Sequence, residues 1–137
     1  MQLQGTVLVP GSAEGPLLRL DRPISFWGGV DPTSGAIIDP SHPNHGGNVA
    51  GQVLAIPATI GSSSSSAIIL ELLRVGNAPR ALVLGNVDAI LTLGVVVAGE
   101  MDYPTIPVIH VPPIAVHGLP SGGTATVSLS GSITVFP

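Results

Sequence analysis

The sequence contains no cysteine and no lysine, and each absence excludes a class of function. Without cysteine the chain forms no disulfide, supplies no thiolate nucleophile and cannot hold an iron–sulfur cluster on its own. Four arginines are its only basic residues besides histidine, and its net charge is −4. Binding to nucleic acid needs a basic patch that neutralises phosphates, so a nucleic-acid partner is not expected.

Charge of either sign is scarce in this chain. Charged residues make up 9% of the sequence and hydrophobic residues 45%, which excludes a disordered segment. A surface with so few charges indicates that a partner covers part of it. The 137 residues suffice for one core, so we expect a single domain over residues 1–137.

Membrane and export signals are also lacking. The first residues show neither a basic segment nor the apolar stretch of a signal peptide. The longest apolar stretch, Ala89 to Ala98, is too short to span a bilayer. We therefore expect a cytoplasmic protein with no membrane contact.

Glycine and proline are abundant, and their spacing predicts short strands and turns around two helices. The helices are predicted from the serine run at 62–66 to Gly76, and over 87–100. The predicted strands are 6–9, 16–20, 36–38, 49–56, 81–84 and 106–111, with a closing hairpin over 124–136. Strands and helices alternate in the middle of the chain, which predicts an α/β domain with a partly parallel sheet and additional β-strands.

Five consecutive serines, Ser62 to Ser66, stand between Gly61 and an apolar run of helical spacing. A linker is disfavoured because a predicted strand precedes the run and a helix follows it directly. One serine can cap the helix, which leaves four unexplained. Backbone N–H groups at a strand-to-helix junction also suit a carboxylate or phosphate. Spacing alone leaves the structural and the anion-binding interpretations open, and no nearby His and Asp pair supports a catalytic triad.

Four segments together resemble the swivelling domain of the aconitase X family. They are "PISFWGGVDPTSGAIIDPSHPNHG", "VAGQVLAIP", the stretch from "GSSSSSAIILELL" to "VVVAGE", and "IPVI". The family includes the small subunit of archaeal phosphomevalonate dehydratase and bacterial cis-3-hydroxy-L-proline dehydratases. The resemblance implies a swivelling β/β/α domain and the small subunit of a metal-dependent hydro-lyase that dehydrates a hydroxy acid.

The resemblance also implies a division of labour between two chains. A large catalytic aconitase X subunit is expected to carry the iron or iron–sulfur centre, while this chain binds no cofactor alone. Gly61–Ser62 resembles the family's active-site turn, which implies that Ser62 is the base. Ser63 and Ser66 lie where the motif has further small polar residues, and with Gly61 they are expected to contact the substrate or an anion. The unbroken serine run favours the hydroxyproline branch, whereas the phosphomevalonate pattern interrupts it. The alternatives are a phosphomevalonate dehydratase small subunit and a non-catalytic module that binds an anion or self-associates.

Other polar residues have structural and functional interpretations. Asp39 ends a predicted strand and is a further candidate substrate contact, whereas Asp31 before Pro32 is typical of a turn. His42 and His45 have a spacing that could serve a metal on a helix, but "SHPNHGG" cannot be helical. No metal site is therefore predicted in this chain.

Overall fold

The computed structural model describes residues 1–137, which form eight strands and four helices. The strands are β1 (Gln2–Gln4), β2 (Thr6–Val9), β3 (Ala13–Arg19), β4 (Val53–Ile56), β5 (Ala81–Leu84), β6 (Val108–His110), β7 (Thr124–Val127) and β8 (Ser132–Phe136). The helices are α1 (Phe26–Gly29), α2 (Ser65–Val75), α3 (Ala89–Glu100) and α4 (Pro113–His117).

All eight strands belong to one mixed sheet of order β1-β8-β7-β3-β4-β5-β6-β2. The central strands β3, β4, β5 and β6 are parallel, and the remaining pairings are antiparallel. Strand β3 joins the antiparallel and the parallel parts of the sheet, because residues 13–16 pair with β7 and residues 17–19 pair with β4. The predicted partly parallel α/β fold is confirmed.

The two end strands of this order, β1 and β2, are consecutive in the chain, so the sheet closes on itself at Gly5. The Gly5 N–H donates to the carbonyl of Gly131 at 2.9 Å. A Cβ atom at position 5 would lie 2.8 Å from the carbonyl oxygen of His110 and would also meet Ile109. Only glycine allows the backbone to approach so closely at this junction.

Strands β4 and β5 are buried along their whole length, which explains their uninterrupted apolar sequences. Alternate residues face two separate apolar clusters. Leu54 and Leu82 belong to the cluster that includes α2 and α3, whereas Val53 and Val83 belong to the cluster shared with β7 and β8. The sheet is therefore covered by helices on one side and by its own antiparallel part on the other.

Several predicted boundaries need correction. The segment Ala36–Ile38 forms only isolated bridges, because its neighbours are turns rather than a strand of the sheet. The strand predicted from Val49 begins at Val53, since a turn with Gly51 at φ 72° precedes it. The short helix α4, which ends at His117, was not among the predicted helices. Strand β1 was not predicted at all.

None of the four helices is sufficiently long and apolar to cross a lipid bilayer.

Candidate functional site

The serine run lies at the carboxyl edge of the parallel strands. Residues 57–64 lead from the end of β4 to the start of α2, and residues 85–88 lead from β5 to α3. Binding sites of α/β sheets form at this edge, because the loops that leave neighbouring strands meet there. The topology thus places the serines where a small-molecule site is expected.

Ser64 is the N-cap residue of α2, but its side chain makes no capping hydrogen bond. The helix therefore begins within the serine run, but the side-chain cap expected from a serine at this position is absent. The turn is closed instead by Ser62, whose carbonyl accepts from the Ser65 N–H at 3.1 Å. The Oγ of Ser62 also accepts from the Ser64 N–H, at 3.3 Å. Ser62 is thus held from both its backbone and its side chain.

Four backbone N–H groups of this segment, those of Gly61, Ser62, Ser63 and Ser66, donate to no acceptor within the chain. They lie at the N-terminal end of α2, where the helix dipole adds partial positive charge. Free N–H groups at such an end bind carboxylates and phosphates. The four predicted residues are therefore together in one turn, with an anion-binding capacity that the backbone supplies.

Ser65 lies in the same turn and was not singled out by sequence reasoning. Its residue is 2% exposed, and its Oγ has no hydrogen-bond partner. A buried hydroxyl without a partner costs free energy, so Ser65 is an energetically unfavourable residue at this position. Ser63 is exposed, and Ser66 uses its hydroxyl to donate to the Ser63 carbonyl at 3.4 Å.

The loop that carries the serines is fixed by a hydrogen-bond network that sequence reasoning missed. The Thr59 hydroxyl donates to Asp88 Oδ2 at 2.6 Å, and the backbone N–H of Thr59 donates to Asn86 Oδ1 at 3.0 Å. The other oxygen of Asp88 accepts from the Leu91 N–H at 2.9 Å and so caps α3. One carboxylate therefore connects the serine loop to the start of the neighbouring helix.

Two glycines bring the surrounding elements close to this loop. A Cβ at Gly85 would lie 2.8 Å from the carbonyl carbon of Pro57, at the point where the chain leaves β4. A Cβ at Gly94 would lie 2.6 Å from the carbonyl oxygen of Ser66, in the first turn of α2. Helix α3 thus packs directly against the backbone of the serine segment.

Asp39 makes no hydrogen bond or ion pair with the serine segment. Its carboxylate accepts from the hydroxyl and the N–H of Ser41, at 2.7 and 2.9 Å. Both bonds lower the pKa of Asp39, the bond from the hydroxyl more than the bond from the N–H, and so keep the carboxylate ionised. The turn interpretation of Asp31 agrees with its bonds from Thr33 and Ser34 N–H groups, at 2.8 and 2.9 Å.

The histidines offer no metal-binding group. His42 is buried, its Nδ1 accepts from the Asn44 N–H at 3.0 Å, and its Nε2 lies 3.1 Å from the Arg22 carbonyl. Both ring nitrogens of His42 are therefore used by the backbone of the chain, with the proton on Nε2. No group of three or more His, Cys, Asp or Glu side chains could hold a metal ion.

The two arginines near this edge differ in their partners. Arg19 donates to the Leu119 carbonyl at 2.6 Å and pairs with Asp21 at 3.2 Å, so its guanidinium is already engaged. Arg22 is exposed, and its guanidinium has no partner in the chain. Arg22 follows β3, and Ile24, two residues further on, forms a bridge with Thr59 of the serine loop. Arg22 is therefore an unpaired cation in the segment after β3 that contacts the serine loop through Ile24.

Comparisons with known proteins agree with this architecture. The family model described as "Aconitase X swivel domain" matches residues 2–135. A cis-3-hydroxy-L-proline dehydratase of Hypocrea jecorina is 47% identical over 106 residues, which are 77% of this chain and 18% of that protein. A phosphomevalonate dehydratase small subunit of Thermococcus onnurineus is 40% identical over 99 residues, which are 72% of this chain and 76% of that subunit.

A solved structure is similar along the whole chain. The crystal structure of Thermococcus kodakaraensis aconitase X in its holo-form superposes with a TM-score of 0.88 at 30% identity, covering 100% of this chain and 99% of that one. The chain spans less than a fifth of the hydroxyproline dehydratase but about three quarters of the small subunit. With the family match over nearly every residue and the same fold throughout, the chain belongs to the aconitase X swivel domain family.

Proposed function

We propose that this chain is the small subunit of a hydro-lyase that dehydrates a hydroxy acid, with Ser62 as the base. The observation that carries the proposal is the segment Gly61–Ser66, which has the Ser62 hydroxyl and four free N–H groups at a helix N-terminus. Relatives with named activities are dehydratases or dehydratase subunits, which supports the reaction class.

Dehydration requires a base and an anion site, and the turn supplies both. The base takes a proton from the carbon next to the substrate carboxylate, a carbon–carbon double bond forms, and the neighbouring carbon loses hydroxide. A serine hydroxyl is a weak base unless its alkoxide is stabilised, which N–H groups and a helix N-terminus do. In this proposal Gly61, Ser63 and Ser66 hold the substrate's anionic group, and Arg22 is a further cation for it.

The residues of this chain do not fit a metal or an iron–sulfur cluster. The chain lacks cysteine, and its His, Asp and Glu side chains form no group of three ligands. Departure of hydroxide is assisted by a Lewis acid. We therefore assign the iron or iron–sulfur centre to the large subunit, and this chain's part is the base and the anion site.

Exposed apolar side chains around the serine loop support such a partner. Ile60, Val87 and Ile114 follow β4, β5 and β6 at the carboxyl edge, and Trp27 follows β3. Each of these side chains is more than half exposed. An apolar rim around polar groups is typical of a surface that another protein covers. A large subunit seated on this rim would enclose the serine turn and exclude water from it.

The substrate that the comparisons favour is cis-3-hydroxy-L-proline, because the hydroxyproline dehydratase is 47% identical and the phosphomevalonate dehydratase subunit 40%. Phosphomevalonate is the second candidate, since this chain corresponds in extent to a small subunit. Asp39 stays a candidate substrate contact of lower rank, because its hydrogen bonds all lie within its own loop.

The test is replacement of Ser62 in the complex reconstituted with the large subunit. Ser62→Ala should lower turnover of cis-3-hydroxy-L-proline by about 10²–10⁴, the usual contribution of a general base, without loss of assembly. Ser130→Ala, in the turn between β7 and β8, is the matched control and should leave turnover unchanged. Unchanged turnover in Ser62→Ala would refute its role as the base.

The same preparation separates the second substrate and the rival function. If the complex dehydrates phosphomevalonate and not cis-3-hydroxy-L-proline, the proposed substrate is wrong and the proposed reaction class stands. A chain that purifies alone, self-associates and binds phosphate without any dehydratase partner would instead indicate an anion-binding or assembly module.

A further inference from the structure

A concave site lies at the opposite edge of the parallel sheet from the serines. It is a cleft of about 420 Å³ beside the amino ends of β5 and β6, the start of β3 and the C-terminal end of α2. Its walls combine apolar side chains with polar and charged residues, among them Leu73, Ile106, Thr105, Glu14 and Arg80. None of these residues has a part in the function proposed above.

Arg80 is a fixed cation without a carboxylate partner. Its Nη1 donates to the backbone carbonyl of Glu14 at 2.8 Å, and the chain's only two ion pairs involve other arginines. The other guanidinium donors of Arg80 are therefore free, while the bond to Glu14 holds the group in place. A planar guanidinium with free donors is suited to binding a carboxylate.

The opposite charge is present in the same cleft. Helix α2 ends there, with Leu73 and Gly76 among the lining residues. The carbonyls of its last three residues, Leu73, Arg74 and Val75, accept no hydrogen bond, so this end carries partial negative charge. The Glu14 carboxylate has no ion pair either. These groups favour an ammonium and disfavour a simple anion.

We infer that this cleft binds a small amino acid in its zwitterionic form. The carboxylate would pair with Arg80, the ammonium would face Glu14 and the end of α2, and an apolar side chain or ring would contact Leu73 and Ile106. Helix α2 has 11 residues and separates this cleft from the serine turn by about 16 Å. The site is therefore distinct from the proposed active site and does not depend on it.

The test is a titration of the ¹⁵N-labelled full chain with L-proline and L-valine, followed by amide NMR shifts. Sodium acetate and ethylammonium chloride at equal concentrations serve as single-charge controls. Saturable shifts confined to residues 12–14, 73, 76–80 and 104–106, larger for the amino acids than for either control, are the expected result. Arg80→Gln should weaken binding about tenfold or more, as expected for loss of a charge-assisted pair.

Two further variants make the outcome decisive. Glu14→Gln keeps the backbone carbonyl that anchors Arg80 and should still weaken amino-acid binding, whereas Arg74→Gln, paired with Glu71 on the exposed face of α2, should not. Equal shifts with acetate would reduce the cleft to an anion site and overturn the inference. Shifts at residues 61–66 instead, or no saturable shift anywhere, would overturn it as well.

Discussion

Replacement of Ser65 by alanine should stabilise the folded chain. The Ser65 hydroxyl is buried and unpartnered in the first turn of α2, whereas unfolding exposes it to water. The free energy of unfolding therefore includes a penalty that alanine removes. Ser66→Ala is the matched control on the neighbouring residue, because Ser66 is half-buried and its hydroxyl has an acceptor.

The expected gain follows from two contributions. An unsatisfied buried polar group costs about 1–3 kcal/mol, of which the cavity left by the missing oxygen offsets a part. Alanine also has a higher helix propensity than serine, by at most about 0.7 kcal/mol. We expect a net gain of about 1–2 kcal/mol, equivalent to a rise in Tm of roughly 3–8 °C for a domain of this size.

Urea unfolding followed by far-ultraviolet circular dichroism measures this gain. The midpoint should rise for Ser65→Ala with an unchanged slope, and Ser66→Ala should stay within about 0.5 kcal/mol of the parent chain. A loss of stability in Ser65→Ala would show that the hydroxyl has a partner in the folded chain and would refute the reasoning. A gain in stability together with a fall in turnover of the reconstituted complex would show that the hydroxyl contacts the substrate.

Three other substitutions test the surroundings of the site. Gly94→Ala should destabilise by about 1–3 kcal/mol in urea unfolding, because its Cβ would meet the backbone of Ser66, whereas Gly99→Ala on the same helix should not. Asp88→Ala should cost about 2 kcal/mol in the same assay, since it removes both a helix cap and the bond from the serine loop. Ser41→Ala should raise the pKa of Asp39 in an NMR titration, because the hydroxyl stabilises the ionised form. Because the pKa of Asp39 is lowered in the folded chain, the ionised carboxylate stabilises the fold at pH values above the ordinary Asp pKa. This contribution is lost as the pH falls through the lowered pKa, so the loss of folding stability in Ser41→Ala should disappear at low pH.

The sequence predicts the fold class and helix α2 because the deciding signals are local. Gly76 ends α2 in the left-handed conformation, at φ 83°, as the Gly stop signal indicates. Strand β5 has its predicted bounds, because its apolar run is buried on both faces. The closure at Gly5 is not predictable in this way, since its contacts come from residues more than 100 positions away.

The sequence predicts which residues form the candidate site but not the hydrogen bonds that hold them in place. Gly61 to Ser66 form one turn, as their adjacency requires, but nothing local shows which hydroxyl is buried and which is bonded. Thr59 and Asp88 are 29 residues apart in the chain, so only the pairing of β4 with β5 brings them together. An Asp at a predicted helix start is a capping signal for α3, and it could have directed attention to the Asp88 side chain.

The pairing of β1 with β8 has a consequence for how the domain is attached to other chains. The Met1 carbonyl accepts from the Val135 N–H at 2.8 Å, so the first residue lies beside the third-last. A longer polypeptide could therefore enter or leave through either end at the same corner of the domain, with no change in the orientation of the serine turn. Circular permutation through a short linker from Pro137 to Met1 should likewise preserve the fold. A separately encoded form of this domain and a form fused at either end to a larger protein can thus keep the same fold around the serine turn.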